Sequence, residues 1–388
     1  MHRKLNNLSM DNPFVFGTAT YDEWFTDREK DLERLSLNLK NGINTIIISP
    51  RQWGKTSLVL KVSDTIKDKV LKVVNIDIFS CRSEDDFYRV FAVEIIKQTS
   101  NKWEEWVKNT KQFLASLSPR INFGTDPMND FSISLDFSNK RTNEEDILNL
   151  PQKIASAKKI KIVVCIDEFQ QIAEFNNSTT FQKKLRSIWQ LQKQVSYCLF
   201  GSKKHLMNEL FSKQSLPFYR FGDIMMLQKI ETFFWVQYIQ RRFSQSNKSI
   251  SSDLAEQICR TVDNHSSYVQ QYAWHVWIKT DKEATEKNLK DALNDLINQN
   301  SLLYYTYLEN LTAMQINFLH ALVDGISHEF TKKEVIQKYN LNASSNISRI
   351  KKSLEQKELI DIYPQKVTFN NPVFKLWLKR SDFKILKT

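Results

Sequence analysis

Between Ser49 and Ser57 the chain reads Ser-Pro-Arg-Gln-Trp-Gly-Lys-Thr-Ser, straight after the apolar run Thr45 to Ile48 and straight before Leu58, Val59 and Leu60. Binding nucleotide phosphates takes a buried strand that aims a loop, backbone N–H groups that open a helix, a lysine for the β- and γ-phosphate charge and a hydroxyl for Mg²⁺. Gly54, Lys55 and Thr56 supply the essential half of G-x-x-x-x-G-K-S/T, and Ser49, Pro50, Arg51, Gln52, Trp53 and Ser57 complete the expected cradle. Ser49 stands where the first glycine of that pattern belongs. An ordinary strand-to-helix turn is the alternative, and the strand-loop-helix context weighs against it. The whole chain holds only 7 glycines, which makes Gly54 conspicuous.

Hydrolysis needs a second element, a carboxylate at the end of a neighbouring buried strand. Ile160 to Glu168 reads Ile-Lys-Ile-Val-Val-Cys-Ile-Asp-Glu, too apolar to have a wet face and so expected inside a parallel sheet. Asp167 then fits a ligand of Mg²⁺ alongside Thr56, and Glu168 fits the base that activates water, with Lys55 holding the phosphates. A helix N-cap is the competing reading of the Asp-Glu pair. A third strand, Val195 to Phe200, ends at Ser202, which either reaches the attacking water or γ-phosphate or caps the next helix. Arg220 stands between aromatics before a further strand, Ile224 to Leu227, as an arginine finger in cis or in trans or as half of a surface ion pair. A guanine-reading Asn-Lys-x-Asp motif is missing, so ATP is the expected nucleotide.

The elements that must hold these groups follow from periodicity. Residues 27–40 read as an amphipathic helix feeding the first strand, 72–79 as a strand and 83–116 as helical, with Trp103 and Trp106 packing. Alternation around Phe131 to Phe137 signals a hairpin-like insertion at about 118–140, which accounts for the 112 positions between Lys55 and Asp167. After Lys229 the pattern turns wholly helical: 231–243, 253–262, 266–279 and roughly 283–310. Tyr268, Tyr272, Trp274, His275 and Trp277 recur there at core spacing. From residue 311 a winged helix-turn-helix is expected, with helices at 313–323, 331–334 onward and 344–356 and a wing over 359–369 turning at Pro364. The expected domains are therefore 1–229, an α/β P-loop NTPase core with a parallel sheet, 230–310, an all-α lid, and 311–388, the winged helix.

Composition frames these readings. A length of 388 residues exceeds one typical core. No apolar run reaches 18 residues and Met1 to Asn7 has no apolar stretch, so neither a membrane span nor a secretory signal is expected, and the cytoplasm is. Cys81, Cys165, Cys198 and Cys259 are far apart and read as buried small hydrophobes. A net charge of +11 suits an anionic partner, although a lysine-rich composition alone gives the same number. In the candidate recognition helix, Ser344, Ser345, Asn346, Ser348, Arg349, Lys351 and Lys352 are types that touch phosphates and base edges, and also types that any solvated helix shows.

Taken in order, the loop at 49–57, Ile166-Asp-Glu-Phe-Gln170, Phe200-Gly-Ser202 and Pro217-Phe-Tyr-Arg-Phe221 resemble the archaeal-type ATPases, AAA+-related proteins of the STAND signalling class. The likeness covers nearly the whole chain. It starts at Asn12-Pro13-Phe14 and the helix start Phe25 to Glu29, where members of that family pack against adenine. The resemblance implies a five-stranded core with the sensor strand between the two motif strands, Ser202 as sensor 1 and Arg220 as the finger equivalent. It places a sensor-2-like role near Asn264 to Gln270, where no arginine stands. Arg186, with Gln182 and Gln190 at helical spacing, reads as part of a polar solvated face. The function so implied is an ATP- and Mg²⁺-dependent switch, slow ATP hydrolysis being coupled to movement of the winged helix. The alternative is a DNA-associated regulator, or a defence or mobile-element protein, clamped by ATP. A protein partner and an oligomer are compatible with both.

Overall fold

Strands that are apolar on both faces must be covered on both, and this chain covers them with helices. The computed structural model describes residues 12–18, 26–66, 68, 70–100, 120–123, 131–134 and 140–380. They fall into two compact units, Arg28–Gln228 and the combination of Met1–Asp27 with Lys229–Thr388.

The first unit runs α1 (Glu29–Lys40), β1 (Thr45–Ile48), α2 (Lys55–Thr65), β2 (Leu71–Asp77), α3 (Glu84–Thr99), β3 (Arg120–Phe123), β4 (Phe131–Ser134), α4 (Lys140–Leu148), α5 (Leu150–Lys158), β5 (Lys161–Asp167), a 3₁₀ helix (Phe169–Glu174), α6 (Ser178–Trp189), β6 (Val195–Gly201), α7 (Lys204–Ser212) and β7 (Asp223–Met226). Its sheet is five-stranded and parallel in the order β2-β5-β6-β1-β7, with β6 between the two motif strands as the resemblance implied. Even-numbered Ile162, Val164 and Ile166 of β5 join Tyr197, Leu199, Ile46 and Ile48 in one apolar cluster with Phe87, Phe91 and Trp189 from α3 and α6. Trp189 stacks on Tyr197 with ring centroids 4.0 Å apart. Odd-numbered Cys165 and Asp167 alternate to the opposite face. All four cysteines are buried and free.

Several boundaries differ from expectation. The second strand stops at Asp77, and the helix expected over 83–116 ends at Thr99, with Trp103 and Trp106 outside the described residues. In the expected insertion β3 and β4 pair antiparallel, Arg120 opposite Ser134. The polar face expected on α6 holds only in part. Gln190 is exposed and Arg186 half-buried with its guanidinium 4.8 Å from the Phe221 ring centroid, whereas Gln182 is buried and donates to Ser178 Oγ.

The second unit is helical: α8 (Thr232–Gln245), α9 (Ser252–Thr261), α10 (Ser266–Lys279), α11 (Glu286–Gln299), α12 (Ser301–Glu309), α13 (Ala313–Val323), α14 (Lys333–Lys338) and α15 (Ser344–Gln356), then β8 (Ile360–Ile362), β9 (Val367–Phe369) and α16 (Pro372–Arg380). The helix expected over 283–310 breaks at Asn300, whose N–H bonds back to Ile297. One apolar cluster runs from Ile230 to Leu378 through Tyr268, Tyr272 and Trp277. Phe14 belongs to it, fully buried with its ring edge-on to Tyr238 and Phe243, so it offers no face to adenine. Phe25 lies outside the described residues. Among the described residues no helix is long and apolar enough to cross a membrane.

Candidate functional site

β1 delivers the chain to the loop at Ser49, and α2 takes it up at Lys55 with Gly54 as the residue before the helix. Two positions need the left-handed region, Gln52 at φ 60° and Gly54 at φ 89°. Gly54 meets that demand at no steric cost, which is what the glycine of the motif is for. Ser49 is not among the residues with positive φ, so the missing first glycine removes no backbone conformation that this loop uses. Its hydroxyl is instead one of the acceptors around the lysine.

Lys55 is 5% exposed, and its Nζ donates to Ser49 O at 3.1 Å, Pro50 O at 2.9 Å and Ser49 Oγ at 3.4 Å. Burial pulls its pKa down to about 8, opposed by the nearby carboxylates of Asp167 and Glu168. All three ammonium protons therefore point at loop oxygens inside the cradle, and phosphate oxygens are the same class of acceptor with more charge.

The next residue ties the two motif strands together. Thr56 Oγ1 donates to Asp167 Oδ2 at 2.8 Å, while Asp167 Oδ1 accepts the N–H of Glu168 at 2.8 Å. Burial pushes the Asp167 pKa up to about 6 against these two hydrogen bonds. A hydroxyl and a carboxylate oxygen at one point are hard ligands of the kind Mg²⁺ takes, and that ion draws the rest of its shell from water and substrate phosphates. The donor set fits it. Among the described residues no group of three or more His, Cys, Asp and Glu side chains gathers to hold a metal.

Glu168 follows the strand in the left-handed region, φ 54° and ψ 36°, a strained place for a residue with a Cβ. Its Oε2 accepts Ser202 Oγ at 2.9 Å and the Nε2 of Gln170. The N-cap of α7 is Lys203, without a side-chain cap, so the capping alternative for Ser202 fails. As the structure stands, its hydroxyl serves Glu168.

Arg220 does not join the group. It is exposed, its guanidinium 5.2 Å from the Tyr219 ring centroid, three residues before β7. β7 is parallel to β1 with Asp223 opposite Thr45, so Arg220 belongs to the N-terminal edge of the sheet and the loop to the C-terminal edge. The five residue-to-residue steps from Asn44 to Ser49 span roughly 16 Å at about 3.3 Å each. That is more than an arginine side chain reaches, and the in-cis finger is corrected on this ground.

Arg28 is the residue that motif reasoning passed over. It is 6% exposed, and its Nη2 donates to Trp53 O at 2.8 Å and Gln228 O at 3.1 Å while Nη1 meets Asp31 Oδ2 at 2.9 Å. It thereby fixes the carbonyl just before Gly54. The only sequence signal was a basic residue at the start of an otherwise acidic helix turn, which names no partner.

The fold has counterparts among solved structures. The chain is similar to a Walker-type ATPase of Pyrococcus abyssi over 95% of its own length and 99% of that chain, with 15% identity and a TM-score of 0.67. It is also similar to the ORC2 protein of Aeropyrum pernix, a structure of ADPNP–ADP complexes, covering 91% and 93% of the two chains at 14% identity and a TM-score of 0.56. No curated protein matches the sequence. The family model described as "Probable winged helix domain" matches residues 302–380. At these identities the likeness shows a fold: a P-loop ATPase-type parallel sheet, a helical region and a C-terminal winged helix domain.

Proposed function

We propose that this chain binds ATP with Mg²⁺ and hydrolyses it, as a switch of the STAND kind whose output is the winged-helix domain. The observation that carries this reading is the side chain of Thr56 bonded to Asp167 beside a buried, loop-facing Lys55. Lys55 Nζ turns from the carbonyls of Ser49 and Pro50 to the phosphates, and the N–H groups that open α2 hold them. Thr56 and Asp167 would hold Mg²⁺, which supplies charge neutralisation between the phosphates. Glu168 takes the proton of the attacking water on the carboxylate oxygen that Ser202 does not occupy. In this reading Arg220 is offered to the loop of a neighbouring copy, so full turnover depends on assembly.

The test is ATP turnover and ATP affinity of wild type and Glu168→Gln. The reading expects the variant to bind ATP as wild type does and to lose at least about 10²-fold in turnover. A wild-type protein that binds ATP but releases no phosphate would leave only the clamp.

The clamp reading, a DNA-associated protein with ATP as a structural part, has its own support. On α15 the side chains of Ser344, Ser345, Ser348, Arg349 and Lys352 are exposed, while Ile347, Ile350 and Leu354 are buried. That arrangement presents a polar, basic helix face of the sort that enters a major groove.

A further inference from the structure

We propose that Gln170 is a positioning residue for Glu168 and that Gly201 is glycine in order to admit Gln170. The inference rests on the hydrolytic reading above and adds to it the part that aims the base. Gln170 is 1% exposed in the 3₁₀ turn after β5, and its Nε2 donates to Glu168 Oε2, the oxygen that also accepts Ser202 Oγ. The amide can face the carboxylate only through its NH₂, since two oxygens repel, so this contact fixes which way the amide points. Its other end is then committed to the wall of β6. A Cβ built on Gly201 would lie 1.7 Å from Gln170 Oε1 and 2.9 Å from its Cδ. Gly201 is not among the glycines with positive φ, so its want of a side chain serves space and not backbone conformation.

Two costs support a purpose. Gln170 Oε1 is buried with no hydrogen-bond partner among the described residues, and Glu168 holds a left-handed backbone. A stable core alone gains nothing from either. What they achieve together is a carboxylate with Oε2 anchored by the segments that follow β5 and β6 and Oε1 left for water, the arrangement in which a base is itself oriented by further groups.

Four proteins test this: Gln170→Met, which keeps the length and removes the donor, Gly201→Ala, Gln170→Ala and the Gly201→Ala/Gln170→Ala double variant. Gln170→Met and Gly201→Ala are expected to lower kcat by roughly 10²-fold, the scale of a mispositioned general base. Their Kd for ATP should stay within about twofold of wild type, a split that a general loss of packing does not produce. Gly201→Ala is expected to lower the melting temperature of the nucleotide-free protein on its own and to add little in the Gln170→Ala background, because the atom it strikes is then gone. If Glu168→Gln abolishes turnover but Gln170→Met retains the wild-type kcat, the positioning role is wrong while hydrolysis stands. If Gly201→Ala is equally costly in both backgrounds, the space argument is wrong. If wild type and Glu168→Gln are equally inactive, the hydrolytic reading fails first and takes this inference with it.

Discussion

At the scale of the residue the site turns on charges held where burial disfavours them. Lys55 is the clearest case, with a pKa pulled from 10.5 to about 8 by burial. Because the folded value is the lower, the unfolded chain binds more protons between pH 8 and 10.5. The penalty is therefore present in full below pH 8 and relieved as the pH rises towards 10.5, and amounts to about 3 kcal/mol at neutrality. Bound phosphate reverses the preference by favouring the ammonium. ATP binding at pH 8.5 should take up a fraction of a proton, and affinity should fall as the pH rises above about 8. Calorimetry in buffers of different ionisation enthalpy measures this, and binding at pH 8.5 with no proton uptake would count against Lys55 as the phosphate ligand. Asp167, raised to about 6 by burial, has the converse relation to a cation. The Mg²⁺ affinity of the nucleotide-free protein should therefore fall as the pH drops through about 6 and hold steady above pH 7.

At the scale of the element, the loop is stiffened by what lies around it. Arg28 Nη2 bridges Trp53 O and Gln228 O, and residues 27/28 and 228/229 are the two places where the chain leaves this unit. Arg28→Leu removes the charge-assisted bonds to these two carbonyls and to Asp31, an expected loss of about 2–4 kcal/mol by denaturant unfolding with weaker ATP binding. A change below 0.5 kcal/mol would show the bridge to be incidental. None of this was legible from spacing, since Arg28 meets partners 25 and 200 residues away. Gln170 and Gly201 were hidden for the same reason, because their contact exists only once the 3₁₀ turn after β5 lies beside β6. What was legible had local causes. The apolar run Ile160 to Ile166, buried from Ile162 on, reads as a strand because a parallel strand is apolar on both faces, and α13 lies at 313–323 as expected, where Thr312 and Gln315 form a capping box. The break at Asn300 went unread because apolar spacing continues through it. Phe14 went unread because its partners Tyr238 and Phe243 are more than 220 positions on.

At the scale of the whole molecule, a charge of +11 and a winged helix domain put two readings of the output in competition. The structure separates the basic groups of α15. Arg349 and Lys352 are exposed, whereas Lys351 is half-buried with its Nζ 4.9 Å from the Phe330 ring centroid. If α15 contacts duplex DNA, replacing Arg349 and Lys352 together by alanine should lower the salt slope of binding by about 2, and Lys351→Ala by much less than 1. Anisotropy titrations over a range of salt read both, and no DNA affinity at low salt would remove the clamp reading. The nucleotide site itself is common to both readings, and thermal unfolding of wild type and Lys55→Met with and without MgATP addresses it directly. At saturating MgATP, about 100 times Kd, wild type should gain about 2.7 kcal/mol and melt a few degrees higher. Lys55→Met should be at least as stable without nucleotide and gain nothing from it, and an equal upward shift in both proteins would contradict the site.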